Sequence, residues 1–280
     1  MKAFALAGVL LLSFGAQAFD LQGHRGARGL APENTLPAFE RAIALGVTTL
    51  ELDIAITSDG VLVIHHDTTL NPDTTRDSTG RFLERRGPPI HSIRWAELQT
   101  YDVGRLRPGS DYPDQQPLDG TRVPRLSDLF DLVKRLGDDK VRFAIETKLT
   151  PSKPEETPAP EPFARAVVEE IRKAGMAARS QILSFDWRTL RVVQAIAPEI
   201  PTVYLTAQQS WLDNIGAGRP EGSAWTAGFQ HRDHGSVAKM IKAAGGSYWS
   251  AYFGDLDAQK VKEAQSLGLK VLVWTVNDPA

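Results

Sequence analysis

The sequence predicts an α/β protein of the TIM (β/α)8 barrel class. Short β-rich runs alternate with amphipathic stretches of helical period along most of the chain. Titratable residues gather at the C-terminal ends of several of those runs, where such barrels build their sites. The length of 280 residues, 42% of them hydrophobic, suits one large core. A doubly wound open sheet is the competing architecture for the same rhythm.

The β-rich runs are 19–23 (FDLQG), 48–56 (TTLELDIAI), 61–64 (VLVI), 142–145 (RFAI), 181–185 (QILSF), 202–205 (TVYL), 247–253 (SYWSAYF) and 270–276 (KVLVWTV). Each is short and rich in β-branched, aromatic or other large apolar residues. Helical periods fall at 36–45, 163–174, 187–196, 237–244 and 258–267. Between 48–56 and 61–64, Ser58 and Asp59, flanked by Thr57 and Gly60, read as a two-residue hairpin turn.

Two segments break the rhythm. Residues 71–124 are rich in Pro, Gly, Asp and Arg and far exceed an ordinary connection, which marks an insertion over one end of the fold. Residues 211–234 are irregular too and hold Trp211, Trp225, Phe229, His231 and His234. Both stand equally as substrate-selecting loops and as solvated excursions.

Composition removes several function classes. Lys plus Arg number 32 against 34 Asp plus Glu, so no basic stripe for nucleic acid is present. The absence of cysteine excludes a disulfide framework and a lipid-modified Cys. At the N-terminus, Lys2 precedes an apolar run over 3–14 and the small-x-small triplet Ala16-Gln17-Ala18. Residues 1–18 therefore read as a signal peptide cleaved after Ala18, with export to a periplasm or out of the cell. The run is too short for the ~20 residues that a membrane span needs, so no stable membrane insertion is expected after cleavage.

The stretch ELDIAITSDGVLVIHHD (51–67) concentrates charge on a strand. With a two-residue turn, facing positions sum to 117: Glu51 opposes His66 and Asp53 opposes Ile64. Glu51, Asp53 and His66 then share one face and His65 points the other way, whereas a slip of one residue would exchange the histidines. Two carboxylates at i, i+2 repel unless a cation lies between them, and hard oxygen ligands suit a divalent ion. Alone, Glu51-x-Asp53 is better read as a solvated strand face, His24 as a loop histidine and Glu146 as a salt bridge to Lys148. Together at neighbouring strand ends they are costly without a ligand, because buried like charges cost several kcal/mol. Cation, guanidinium and two histidines suit phosphoryl transfer.

The segments GHRGARGLAPENTLPAF (23–39), ELDIAITSDGVLVIHHD (51–67), IETK (145–148), LSFD (183–186) and VWTVND (273–278) resemble, in order, the motifs of glycerophosphodiester phosphodiesterases of bacterial, exported type. That resemblance spans nearly all of residues 19–280. It implies a metal-dependent hydrolase that cleaves small glycerophosphodiesters such as glycerophosphocholine or glycerophosphoethanolamine to sn-glycerol 3-phosphate and an alcohol. It further implies Glu51, Asp53 and Glu146 as ligands of one Ca²⁺ or Mg²⁺ and His24 and His66 as the acid and base pair. Arg25 and Lys148 match phosphate-holding positions, and Trp274 matches the aromatic that lines the glycerol pocket. Asp67, past the hairpin pairing, is expected to orient or cap. Family members continue beyond VWTVND, so the resemblance implies a barrel lacking its last strand and helix, with exposed edges and reduced stability. A phospholipase acting on intact lipids and a non-catalytic phosphodiester-binding protein are the competing functions.

Overall fold

The computed structural model describes residues 19–109 and 111–277. The expected signal segment 1–18 lies outside the described residues. Among the described residues, no helix is long and apolar enough to cross a membrane.

The strands are β1 (Gln22–Gly23), β2 (Thr49–Ile56), β3 (Leu62–Ile64), β4 (Arg142–Thr147), β5 (Ser180–Ser184), β6 (Thr202–Thr206), β7 (Tyr248–Tyr252) and β8 (Lys270–Trp274). Seven of them pair in parallel in the order β1-β2-β4-β5-β6-β7-β8, and β3 alone runs antiparallel, against β2. Among the described residues β8 has no pairing to β1, so the sheet is a partial TIM barrel open along that seam. The first β-rich run shrinks to two paired residues, with Phe19 82% exposed outside it.

The helices are α1 (Leu36–Ala44), α2 (Trp95–Leu98), α3 (Leu126–Arg135), α4 (Pro160–Lys173), α5 (Trp187–Ile196), α6 (His231–His234), α7 (Val237–Ala243) and α8 (Ala258–Ser266). Four start where a short polar side chain satisfies a free backbone N–H: Thr35, Asp186, Ser236 and Asp257 cap α1, α5, α7 and α8. Helix α3 is an addition to the sequence reading. Leu126, Leu129, Phe130 and Val133 give it the i, i+3, i+4, i+7 spacing that buries one face.

Side-chain alternation sorts each strand into two environments. Outward residues Leu50, Leu52, Ile54, Phe143 and Ile145 pack against Phe39, Phe130, Phe163 and Trp187 of the helices, which forms the main core. Inward residues Ala144, Leu183, Val203 and Leu205 form a second, smaller cluster inside the sheet, edged by Phe185, Leu272 and Trp274. Glu51, Asp53 and Glu146 lie on β2 and β4 beside this cluster, with Glu51 paired to Ala144 and Glu146 to Leu183.

Residues 71–124 are neither an extended excursion nor part of the barrel wall. Leu70, Ile90, Ile93, Leu98 and Val123 form their own core with Ala55 and Val63 of the hairpin. Arg76 pins this core: its Nη2 donates to Asp102 Oδ2 at 2.5 Å and to Asp119 Oδ1 at 2.6 Å. The amides of Gly104 and Gly120 also donate to Asp102, each at 2.8 Å. Glycine is required at 104 because a Cβ there would meet Leu118 O at 1.9 Å. Arg76→Ala leaves the Asp102 charge without its guanidinium in a buried site, and a loss of about 3–5 kcal/mol is expected. A denaturant midpoint within error of wild type would contradict that ledger.

Candidate active site

The β2–β3 hairpin corrects the expected register. The observed pairs are Ile54 with Ile64, Ala55 with Val63 and Ile56 with Leu62, so facing positions sum to 118 rather than 117. The turn is the cause. Thr57 N–H donates to Val61 O at 3.0 Å, Gly60 N–H donates to Thr57 O at 3.0 Å, and Thr57 Oγ1 accepts from Val61 N–H at 3.0 Å. Thr57 thereby faces Val61 and closes a three-residue loop, one residue longer than the expected two-residue turn.

Continued rigidly, that register would bring His65 opposite Asp53 in place of the expected Ile64 and would turn His66 away from the acids. The ladder instead stops at Ile64 and the backbone bends over 66–68. His65 N–H donates to Asp53 O at 2.9 Å, and the His65 side chain is buried with Nδ1 2.9 Å from Asp67 O. His66 lines a small pocket together with Glu33 and Asn34, and Asn34 in turn donates to Asp53. His65 is thus tied to the backbone on both sides, through its amide and its ring, and His66 is left on the side of Glu33.

Around it the acids converge. Asp53 pairs with Glu146 across β2 and β4, and Glu51 sits two residues earlier on the same face. Glu51, Asp53 and Glu146 each offer an oxygen within 4.8 Å of the others, and all three residues are buried. Lys148 Nζ donates to Glu146 Oε1 at 2.7 Å and lies 3.5 Å from Asp53 Oδ1. Arg25 Nε lies 3.5 Å from Asp53 Oδ2, and the Arg25 amide donates to Glu51 Oε2 at 2.8 Å. His24 Nε2 stands 4.0 Å from Glu51 Oε2.

The β1 loop has to bend sharply to deliver these groups. Arg25 has φ 52, the left-handed region that an L residue enters at a cost, and Gly26 follows at φ +80. A Cβ on Gly26 would come within 2.7 Å of Ala38 C, so the Gly23-His24-Arg25-Gly26 turn packs directly on α1. Glu33 Oε1 accepts from Arg25 Nη1 at 2.8 Å and Glu33 Oε2 lies 2.5 Å from Arg28 Nε, which holds both guanidinium groups. Asn34 Nδ2 donates to Asp53 Oδ2 at 2.8 Å. Sequence reasoning did not single out Glu33 or Asn34, although both lie within the 23–39 motif.

Charge is unevenly settled among the three acids. Burial pushes Glu51 well above the ordinary glutamate range, and the neighbouring Asp53 and Glu146 carboxylates push it further. Burial and Asp53 likewise raise Glu146 to about 7, although Lys148 opposes them. Burial also acts to raise Asp53, but the charges of His66 in its protonated form, Lys148 and Arg25 and the Asn34 hydrogen bond outweigh it and lower Asp53. His24 and His66 are both shifted down, first by burial and then by the Arg25 and Lys148 charges respectively, so both are neutral at pH 7. A single divalent cation fits such a donor set: only hard oxygens are offered, and Lys148 with Arg25 cannot neutralise all three acids.

Trp274 stands one ring away from the acids. It packs edge to face on Phe185 at 5.3 Å between centroids, and Lys148 Nζ is 5.9 Å from the Phe185 ring. Tyr252 and Trp211 join Trp274 at 5.5 and 6.1 Å, with Trp211 58% exposed. A cavity of about 1730 Å³ runs along the open seam and is lined by His24, Arg28, Glu51, Tyr112, Leu272 and Trp274 among others.

Residues 24–280 match the glycerophosphoryl diester phosphodiesterase family. The chain belongs to this family. A glycerophosphodiester phosphodiesterase of Caldanaerobacter subterraneus is 30% identical over 181 residues. That match takes in 63% of this chain and 62% of the relative, so less than two thirds of the relative's own length is spanned. Among solved family structures, one assigned to a glycerophosphoryl diester phosphodiesterase of Silicibacter pomeroyi is 36% identical. It superposes with a TM-score of 0.80 over 92% of this chain and 83% of the other. A phosphodiesterase of Oleispira antarctica, solved in complex with the product sn-glycerol-3-phosphate, is 25% identical. Its TM-score is 0.62 over 92% of this chain and 84% of that one. The open parallel sheet therefore superposes on most of the fold of solved family members.

Proposed function

We propose that this chain hydrolyses small glycerophosphodiesters to sn-glycerol 3-phosphate and an alcohol, with one Ca²⁺ or Mg²⁺ held by Glu51, Asp53 and Glu146. The observation that carries the reading is the clustering of three buried carboxylates within 4.8 Å, flanked by two cationic side chains and two neutral imidazoles. Family membership supports the reaction class. The sn-glycerol-3-phosphate product bound to the Oleispira antarctica relative supports the identity of the phosphate half.

A bound cation supplies charge to neutralise the phosphodiester and the developing oxyanion. Arg25 and Lys148, already directed at Asp53, are placed to bind the remaining phosphate oxygens. His24 and His66 form the proton-transfer pair: one imidazole takes the proton of the attacking O–H, that of water or of a substrate hydroxyl whose cyclic phosphate water then opens, and the other delivers a proton to the departing alcohol oxygen. The substrate's negative charge offsets the Arg25 and Lys148 charges that depress both imidazoles, so binding itself favours protonation of one of them. Trp274, with Phe185 behind it, gives the glycerol carbons an apolar wall. The segment over 1–18 is proposed to direct export, with a mature N-terminus at Phe19.

The deciding experiment measures sn-glycerol 3-phosphate released from glycerophosphocholine and glycerophosphoethanolamine, with EDTA and after adding back Ca²⁺ or Mg²⁺. Turnover lost in EDTA and restored by a cation is the expected result. Full activity in EDTA would remove the cation from the mechanism. Hydrolysis confined to intact phospholipid vesicles would identify a lipase, and tight binding without product a non-catalytic phosphodiester receptor.

A further inference from the structure

His24 and His66 differ in how they are held. Among the described residues, His24 has no carboxylate within hydrogen-bond distance, Glu51 Oε2 standing at 4.0 Å. His66 Nδ1 lies 3.1 Å from Asp67 Oδ1, and Asp67 Oδ2 accepts from Asn71 Nδ2 at 2.7 Å. An ionised carboxylate only accepts, so the hydrogen bond requires the proton on Nδ1 and leaves the Nε2 lone pair bare. Burial acts to raise Asp67, but the hydrogen bonds from His66 and Asn71 and the nearby imidazoles hold it in the ionised form.

We propose that Asp67, oriented by Asn71 and by His65, is the positioning residue that fixes His66 as the Nδ1–H tautomer with Nε2 turned to the phosphate site. This inference rests on the phosphodiesterase reading for the role of His66. The backbone is locked to match. His65 donates from Nδ1 to Asp67 O at 2.9 Å, and Thr68 Oγ1 donates to Glu156 in the β4–α4 connection. Adjacent histidines thus grip Asp67 from two sides, one by its carbonyl and one by its carboxylate. No bond to Asp67 forms or breaks during turnover. When His66 Nε2 takes a proton from the attacking O–H, the carboxylate stabilises the imidazolium, and the proton leaves again from Nε2.

The bend at 66–68 gains a purpose from this arrangement. A straight continuation of β3 would place successive side chains on opposite faces and separate Asp67 from the ring before it. Ending the ladder at Ile64 lets neighbours in sequence share one hydrogen bond. The His65-His66-Asp67 triplet therefore encodes one reacting side chain and two holders.

The test combines ¹⁵N spectra of the histidine rings at neutral pH with steady-state kinetics on the full chain. The wild type is expected to show His66 as the Nδ1–H tautomer. Asp67→Ala should return it to the Nε2–H form that free histidine prefers, and lower kcat by roughly 10²-fold with little change in KM. Asn71→Ala should lower kcat by about tenfold with the tautomer partly retained. An Nε2–H ring in the wild type overturns the inference, as does an Asp67→Ala variant with unchanged kcat or with its loss confined to KM. If Asp67→Ala does not fold, the wild-type tautomer and the Asn71→Ala kinetics decide. The spectra need no turnover, so an inactive wild type would refute the functional reading while leaving the tautomer question answerable.

Discussion

Glu51→Gln is expected to lose turnover by roughly 10³-fold and, in the absence of a divalent cation, to raise the melting temperature at pH 8. The first effect follows from the loss of one of three oxygen donors, since a catalytic cation is worth several kcal/mol of transition-state charge and each 1.36 kcal/mol is tenfold in rate. The second follows from the raised position of Glu51 and Glu146. Between the unfolded glutamate value near 4.5 and the raised folded value, the folded chain keeps protons that the unfolded chain has released. Stability from these groups is therefore present below about pH 4.5 and is lost as pH rises, through about 7 for Glu146.

Gln keeps the acceptor for the Arg25 amide and removes the charge, so the metal-free protein should melt roughly 2–4 °C higher for each kcal/mol relieved. The cation does the same for the wild type. Adding Ca²⁺ or Mg²⁺ should raise its melting temperature more at pH 8 than at pH 5.5, because binding must displace the protons held at low pH. Calorimetric melts of both proteins across that range give the comparison. A lower metal-free melting temperature for Glu51→Gln at pH 8 would show that the three acids are already neutralised without a cation.

The second large effect concerns the imidazoles. His24→Ala and His66→Ala should each lower kcat by roughly 10²- to 10⁴-fold, the usual range for a positioned acid or base. His65→Ala should cost far less, about tenfold, because His65 acts only by holding Asp67 through its carbonyl. Rate measurements on the three single variants under saturating substrate check the order. Loss in His65→Ala with His66→Ala unaffected would reverse the assignment of the pair.

Much of this site was legible before any tertiary information. The Glu51-x-Asp53 spacing fixes two carboxylates on one strand face, and the 3.6-residue pattern of 187–196 fixes a helix whose observed limits are the same. Helix α3 was legible too, in Leu126, Leu129, Phe130 and Val133, but the long Pro- and Gly-rich stretch before it obscures where regular structure resumes. The roles of Glu33 and Asn34 were not legible, because each depends on a partner supplied by another segment: Arg25 across the β1 turn and Asp53 on β2.

Sequence by itself determined the alternation of strands and helices, the family motifs and the carboxylates that share a face, since these depend on periods of two and 3.6 residues along a continuous chain. Only the tertiary structure decided the hairpin register, the side to which His66 turns and the neighbourhood that holds Asp53 ionised while raising Glu51 and Glu146. The reason is physical. A period is a property of consecutive residues, but register depends on how Thr57 closes a loop, and charge depends on which remote side chains arrive within a few ångströms. The opening run ELDIAITSDGVLVIHHD carries both kinds of information: its turn sets the register, and the bend over 66–68, where the ladder has ended, decides how His65 and His66 are turned.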